Sequence, residues 1–231
     1  MKRFFSILAV AFLISTIYAQ ADTENSSSDE VFTSEEALPI DFIIQFEPAL
    51  YLNTESSLVS APSPIVYPIS FGILWPEYSR IAIQPSLSFF MMNHLFYEGK
   101  ALPAEIENRT TTTLAFMLNI PAVFSFFLSN SRFQIFVGPA ILMRFGLLAS
   151  GVKESDYGWT GSAENDVSEI NSWFWNDLRW FYFTTGASWL YNLDSGLKTG
   201  PVINISIPVG GLISDQNAQG MLISLGIKIS R

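Results

Sequence analysis

His94 is the only histidine in the sequence. It lies in "MMNHLFYEGK", which reads as an outer loop beyond the end of a strand. A zinc site needs three or four His, Cys or carboxylate ligands. The sequence has no cysteine and no second histidine, so no metal or cofactor site is expected. The missing cysteines also rule out disulfides and a thiol nucleophile. A serine hydrolase would need a serine and an acid that both meet His94, and no spacing marks that serine. His94 is therefore expected to be a loop or girdle residue with no special role, and the protein not to be an enzyme. The sharper set is Glu47, Arg144, Lys198 and Lys228, each a charge set inside an otherwise apolar run. Such a set can fill a narrow interior as an ion-pair network, or it can line a polar path for a small solute.

The runs that carry these charges share one pattern. From Leu38 onward apolar and small or polar residues alternate with period two, the mark of a strand with one greasy face. Eight runs show it: "PIDFIIQFEPALYLN", "PIVYPISFGILW", "RIAIQPSLSFFMM", "TTTTLAFMLNIPAVFSFFL", "RFQIFVGPAILMRFGLLAS", "RWFYFTTGASWLYNL", "LKTGPVINISIPV" and "GMLISLGIKISR". Each is about ten residues or more, the length a tilted membrane strand needs. No helical period of any length stands ready to cover a sheet. The links after the second, fourth and sixth runs are short: "PEYS", "SNS" and "DSG". The other links are longer, the third and fifth most of all. Alternating short and long links are the signature of an up-and-down barrel with turns at one rim and loops at the other.

Which face looks inward follows from residue types. The second face of each run is mostly Gly, Ala, Ser, Thr, Asn and Gln. That is a poor coat for a soluble barrel, which would carry Lys and Glu there, but it suits a packed interior. The bulky face then meets lipid. All five strand charges placed by parity, Asp41, Glu47, Arg144, Lys198 and Lys228, fall on the small, polar face. The expected fold is all-β, an eight-stranded antiparallel up-and-down transmembrane β-barrel. In the fifth run Arg144 lies on the inner side, where Glu47 can meet it. Trp75, Trp173, Trp175, Trp180, Trp189 and Tyr191 are expected to form an interfacial aromatic girdle. Seven prolines fall inside or at the ends of the runs: Pro48, Pro68, Pro85, Pro121, Pro139, Pro201 and Pro208. Each removes a ladder donor, so bulges or rim positions are expected for them, with a bulge at Pro139 in particular.

The 231 residues carry a formal net charge of −9, which argues against nucleic acid as a partner. "MKRFF", "SILAVAFLISTI" and Ala19-Gln20-Ala21 read as the basic region, apolar region and cleavage site of a signal peptide. Residues 1–21 are thus expected to be removed on export. Residues 22–37 are acidic and serine-rich, with little to bury, and read as a disordered periplasmic tail. Residues 38–231 read as the barrel.

"LNIPAVFSFFL" (Leu118–Leu128), a three-residue turn and "FQIFVGPAILMRFGLL" (Phe133–Leu148) resemble the small bacterial outer-membrane β-barrels of the porin-like group. There too an Ile-Pro apolar strand, a tight turn and an apolar strand with Gly-Pro follow one another. The resemblance covers about 30 residues and extends loosely, through strand count and loop alternation, over the rest. It implies an eight-stranded barrel in the outer membrane with periplasmic termini, lipid around it and the barrel-insertion machinery as a partner. Many barrels of that group end in an aromatic residue read by this machinery, whereas this sequence ends Lys228-Ile229-Ser230-Arg231. The motifs are structural, so no catalytic residue carries over. The first expectation is a closed structural or interaction barrel whose loops meet an extracellular ligand. A channel for small or hydrophobic solutes is the alternative, and a secreted lipocalin-like barrel around an apolar ligand is a third.

Overall fold

The computed structural model describes residues 40–54, 61–104, 109–193, 195–214 and 218–231. The expected signal peptide and acidic tail lie outside the described residues. The remainder is built from eight antiparallel staves. The first is β1 (Asp41–Phe46) and β2 (Ala49–Tyr51); the second is β3 (Ile65–Val66) and β4 (Ile69–Leu74). The third is β5 (Ile81–Ile83) and β6 (Ser86–Tyr97), extended by a hairpin to β7 (Lys100–Pro103). The fourth is β8 (Thr111–Asn119) and β9 (Ala122–Leu128), and the fifth is the single strand β10 (Ser131–Leu148). Then come β11 (Phe181–Asn192), β12 (Lys198–Ile207) and β13 (Leu222–Ser230). Each stave pairs with the next, and β1 pairs with β13, so the sheet closes.

The expected parity is visible in every stave. In β10 Arg132, Gln134, Phe136, Gly138, Ala140, Leu142 and Arg144 are buried, while Ile135, Pro139, Ile141, Phe145 and Leu147 are exposed. Among the described residues of β1–β6 and β8–β13, no outward-facing side chain is charged. The interior holds two apolar clusters. One, with Ile43, Leu74, Val123 and Phe136, lies toward the rim of short turns. The other, with Tyr51, Phe90, Met117, Leu142 and Tyr182, lies toward the rim of long loops.

The prolines correct the sequence reading. Pro48, Pro68, Pro85 and Pro121 split the first four staves into pairs of strands, yet no bulge follows. Phe46 pairs with Ile227 before Pro48, and Ala49 pairs with Ser224 after it, with no slip. The ladder also runs straight through Pro139, which pairs with Phe183 between Ala140–Tyr182 and Gly138–Thr184. The physical reason lies in which side each proline turns to its neighbour. The carbonyls of Pro48, Pro68, Pro85, Pro121 and Pro139 accept from the N–H groups of Leu225, Glu47, Ile73, Gln84 and Ile120. Each proline thus forfeits only the one bond its own N–H would have made, a cost of about 1 kcal/mol. Two of the sites add a close approach that only glycine allows: a Cβ on Gly138 would strike the Pro121 backbone, and one on Gly72 the Pro85 carbonyl.

The long links also differ from expectation. The fifth contains a helix, α1 (Ala163–Trp175), and the seventh a short one, α2 (Val209–Ser214). Ser162 caps α1: its Oγ accepts from the Asn165 N–H at 3.2 Å. Glu164 and Asp166 put acid in the first turn, where the helix dipole favours it. Ala163, Asp166, Ile170 and Phe174 are the buried stripe. The third link continues as a hairpin through Glu98 and Gly99, both at positive φ, as a two-residue turn requires.

Candidate functional site: the filled lumen

At the turn rim four charges meet. Lys198 Nζ lies 3.1 Å from Asp41 Oδ2 and 2.6 Å from Glu77 Oε1. Arg132 adds contacts of 3.8 Å to Asp41 and 3.7 Å to Glu77, and donates to the Glu77 carbonyl at 3.3 Å. Asp41 starts β1, Arg132 is the second residue of β10, Lys198 starts β12, and Glu77 sits in the turn after β4. Two acids and two bases from three staves and a turn thus close this rim, with side chains 12% exposed or less.

Deeper in, Lys228 is fully buried. Its Nζ donates to Gln84 Oε1 at 2.6 Å and Gln134 Oε1 at 2.8 Å, while Gln134 Nε2 donates to Ser125 Oγ at 3.2 Å. Amide oxygens, not a carboxylate, hold this ammonium. Above it Glu47 accepts from Ser224 Oγ at 3.3 Å and faces a cavity of about 10 Å³ lined by Gln45, Gln84, Ser86, Asn119 and Asn204 among others. That is about the room a single water takes.

At the loop rim the chemistry changes. Arg144 Nη2 donates to the Tyr182 hydroxyl at 2.6 Å, and that hydroxyl donates to the Gly220 carbonyl at 3.1 Å. The guanidinium also lies 4.5 Å over the Phe174 ring and 5.5 Å over the Tyr51 ring, the geometry of a cation–π contact. His94 stands against the same rings, edge-on to Phe174 at 5.0 Å and to Tyr51 at 6.3 Å. Its Nδ1 shares a 2.8 Å hydrogen bond with Thr113 Oγ1. Phe174 comes from α1, so the helix is the lid over this rim. Asn171 fastens it to β10, accepting from Gly146 N–H at 2.7 Å and donating to Gly146 C=O at 3.1 Å. Asp166 fastens the loop before it, taking Thr110 Oγ1 at 2.7 Å and Thr160 N–H and Oγ1 at 2.8 and 2.7 Å.

The structure therefore divides the sequence set. Lys198 belongs to the turn rim with Asp41, Lys228 and Glu47 to the middle, and Arg144 to the loop rim. Glu47 and Arg144 do not pair: Glu47 meets Ser224, and Arg144 meets Tyr182. His94 is not a loop residue but the inward-facing ninth residue of β6, fully buried. The parity of Phe90 and Met92, carried one step on, marks it as interior. The same step along β10 marks Arg132, which the sequence set omits. Glu77 sits in a turn, where no periodicity speaks. The aromatics fall into three places. Trp75, Trp189 and Tyr191 face outward near the turn rim, with Trp189 5.9 Å from Phe133. Trp175 and Trp180 lie at the loop rim, Trp175 beside Phe145 at 6.0 Å. Trp173 turns inward, with Arg179 4.3 Å over its ring. Among the described residues, no three His, Cys, Asp or Glu side chains gather as metal ligands.

No protein-family model matches the chain, and no curated protein matches it. Solved structures similar to the chain at low identity include two bacterial outer-membrane barrels. One is the backbone structure of the Yersinia pestis outer membrane protein Ail in a phospholipid bilayer nanodisc: 9% identity, 84% of this chain and 100% of that one, TM-score 0.39. The other is the N-terminal β-barrel domain of Pseudomonas aeruginosa OprF: 10% identity, 83% of this chain and 97% of that one, TM-score 0.38. The fold assignment rests on the strand pairing itself, which makes this chain a closed eight-stranded antiparallel β-barrel, the architecture of the small outer-membrane barrels.

Proposed function

We propose that the protein is an integral outer-membrane barrel with a closed lumen, an anchor that presents its loop-end elements outside the cell. The uncharged, apolar outer wall carries this reading. Phe42, Phe71, Leu87, Phe126, Phe145 and Leu225 are among the large side chains exposed on it, and they sit on six different staves. A patch encircling the molecule far exceeds the few hundred Å² a soluble monomer tolerates, and lipid is the solvent that suits it. An Arg or Lys there would cost about 2–4 kcal/mol at mid-bilayer, and among the described residues β1–β6 and β8–β13 carry none on that face.

Closure is supported by the interior. Eight staves leave room for little beyond side chains, and here ion pairs, amides and rings fill it from rim to rim. His94, held by Thr113 and covered by Phe174, has the surroundings of a packed side chain, not of a general base. The barrel-insertion machinery and an outside ligand for the loops complete the proposal; Tyr157 and Trp159, both exposed, with Trp159 edge-on to Tyr97 of the β6–β7 hairpin, are the first place to seek that ligand. Two measurements test the reading. Unboiled protein in detergent should migrate faster on a gel than boiled protein, and identical mobility would sink the membrane barrel. Reconstituted in planar bilayers it should give no steady conductance; reproducible steps altered by Arg144→Ala would establish a channel instead.

A further inference from the structure

Part of the loop rim exposes apolar side chains where an aqueous loop would carry polar ones. Helix α2, Val209 to Ser214, has no charged residue. Gly210 and Gly211 are its buried residues, whereas Leu212 is 41% and Ile213 64% exposed. Gly210 lies so close to Leu178, in the link before β11, that a Cβ on it would strike the Leu178 carbonyl. Ile213 follows Gly210 by three residues and so shares that face of the helix, and Leu178 is itself exposed. Trp175, at the end of α1, is exposed too and lies 6.0 Å from Phe145 of β10. β10, β11 and β12 are neighbours in the sheet. Trp175 thus sits at the loop end of β10, Leu178 at that of β11 and α2 at that of β12. This apolar arc joins the outer wall at Phe145. The rest of the loop end differs: the β6–β7 hairpin and the segment before α1 expose Glu98, Lys153, Glu154 and Asp156. Single exposed apolar side chains are ordinary, but a run of them continuous with an apolar wall marks an interaction surface.

We propose that α2 and Leu178 lie at the headgroup boundary of the outer leaflet, as an apolar collar above β10, β11 and β12, with lipid as their partner. The proposal rests on the outer-membrane reading above. An uncharged apolar helix face gains by entering the boundary between headgroups and acyl chains, the level where tryptophan collects. The charges flanking Leu178 suit that depth. Asp177 and Arg179 pair with each other at 3.3 Å, and Arg179 lies 4.3 Å over the Trp173 ring. The seventh link is then a membrane contact, and the surface left for an outside ligand is the charged one around Tyr157 and Trp159.

The sequence has no cysteine, so one introduced thiol takes one nitroxide label. Ile213→Cys and Leu212→Cys are labelled separately in the full-length chain and reconstituted in phosphatidylcholine vesicles. Tyr157→Cys serves as the water reference and Leu225→Cys as the outer-wall reference. Power saturation compares oxygen, which dissolves in lipid, with a nickel chelate, which stays in water. The oxygen-to-nickel accessibility ratio at 212 and 213 should be several-fold above that at 157 and below that at 225. Labels are read in protein that keeps its faster-migrating unboiled band, and either α2 position suffices. A ratio at α2 equal to that at 157, with the 225 label in lipid, overturns the collar alone. A 225 label open to nickel overturns the outer-membrane reading and the collar with it. Labels on α2 closed to both reagents are covered by protein, a second copy or another chain, and overturn the lipid assignment.

Discussion

At the turn rim two acids face two bases, and every member belongs to a stave or to the short turn between two staves. At the loop rim one guanidinium faces two aromatic rings and a phenol, and one of those rings arrives on a helix inserted between staves. Both arrangements bury cations in a narrow tube, but they couple to the fold differently. Asp41, Arg132 and Lys198 cannot separate unless β1, β10 and β12 separate, so the ion pairs open only when the barrel does. Arg144 loses its Phe174 cover if α1 alone swings away, with the barrel ladder intact. Structures open locally in units set by their weakest cooperative contacts, and here the two rims fall into different units. In the closed barrel proposed above, one end of the lumen would then be fixed and the other openable.

The hardest blow to this contrast comes from the turn rim. Asp41→Ala leaves Arg132 and Lys198 sharing Glu77 alone inside the tube, and removing one partner of a buried pair costs about 3–5 kcal/mol. The loss should appear as a lower urea midpoint for the whole barrel, read by the gel shift between folded and unfolded forms. An unmoved midpoint would mean that the quartet is decoration. Next in size is Phe174→Ala, which empties a buried ring site at about 3 kcal/mol. That cost should fall on α1 and not on the staves. Limited proteolysis should cut between residues 149 and 180 while the folded band survives. If the folded band is lost as well, the rims are a single unit.

The sequence made the barrel legible because charge and bulk segregate so strictly. Parity placed Asp41, Glu47, Arg144, Lys198 and Lys228 inward from the side chains alone, and the alternation of short and long links gave the stave order. What it could not convey was pairing. Arg144 and Glu47 share a face, but the antiparallel ladder sets one at the loop rim and the other mid-lumen, and register is not written in periodicity. The prolines misled for a related reason: whether a missing N–H matters depends on which neighbour it faces, and that too is register. Helix α1 was hidden by its own buried acid. Ala163, Ile170 and Phe174 keep helical spacing, but Asp166 on the same stripe breaks the apolar signal, and its use as a knot for Thr110 and Thr160 is visible only in three dimensions.

Two smaller changes probe the lid itself. Asn171→Ala removes the paired bonds to the Gly146 backbone, and it leaves a donor and an acceptor of β10 unmet at a cost of about 2 kcal/mol. Hydrogen exchange should speed up across 163–175 and at the loop end of β10, with β12 unchanged. Protection of α1 equal to wild type would show that Phe174, not Asn171, holds the helix.

The gentlest change is Ser162→Ala. Ser162 sits in extended backbone, φ −140° and ψ 159°, and its Oγ covers the Asn165 N–H that the first turn of α1 leaves without a partner. Losing such a cap costs about 1 kcal/mol. When amide exchange follows the opening equilibrium, that is about a fivefold rise in rate for α1. Ser162→Asp restores an acceptor at the same position and adds a charge the helix dipole favours, so it should return the rate to wild type or below. The turn rim supplies the control, because nothing in Asp41, Glu77, Arg132 or Lys198 touches the lid. If Ser162→Ala also quickens exchange in β1 and β12, the helix and the ion pairs share one cooperative unit, and the distinction between a fixed rim and an openable one fails.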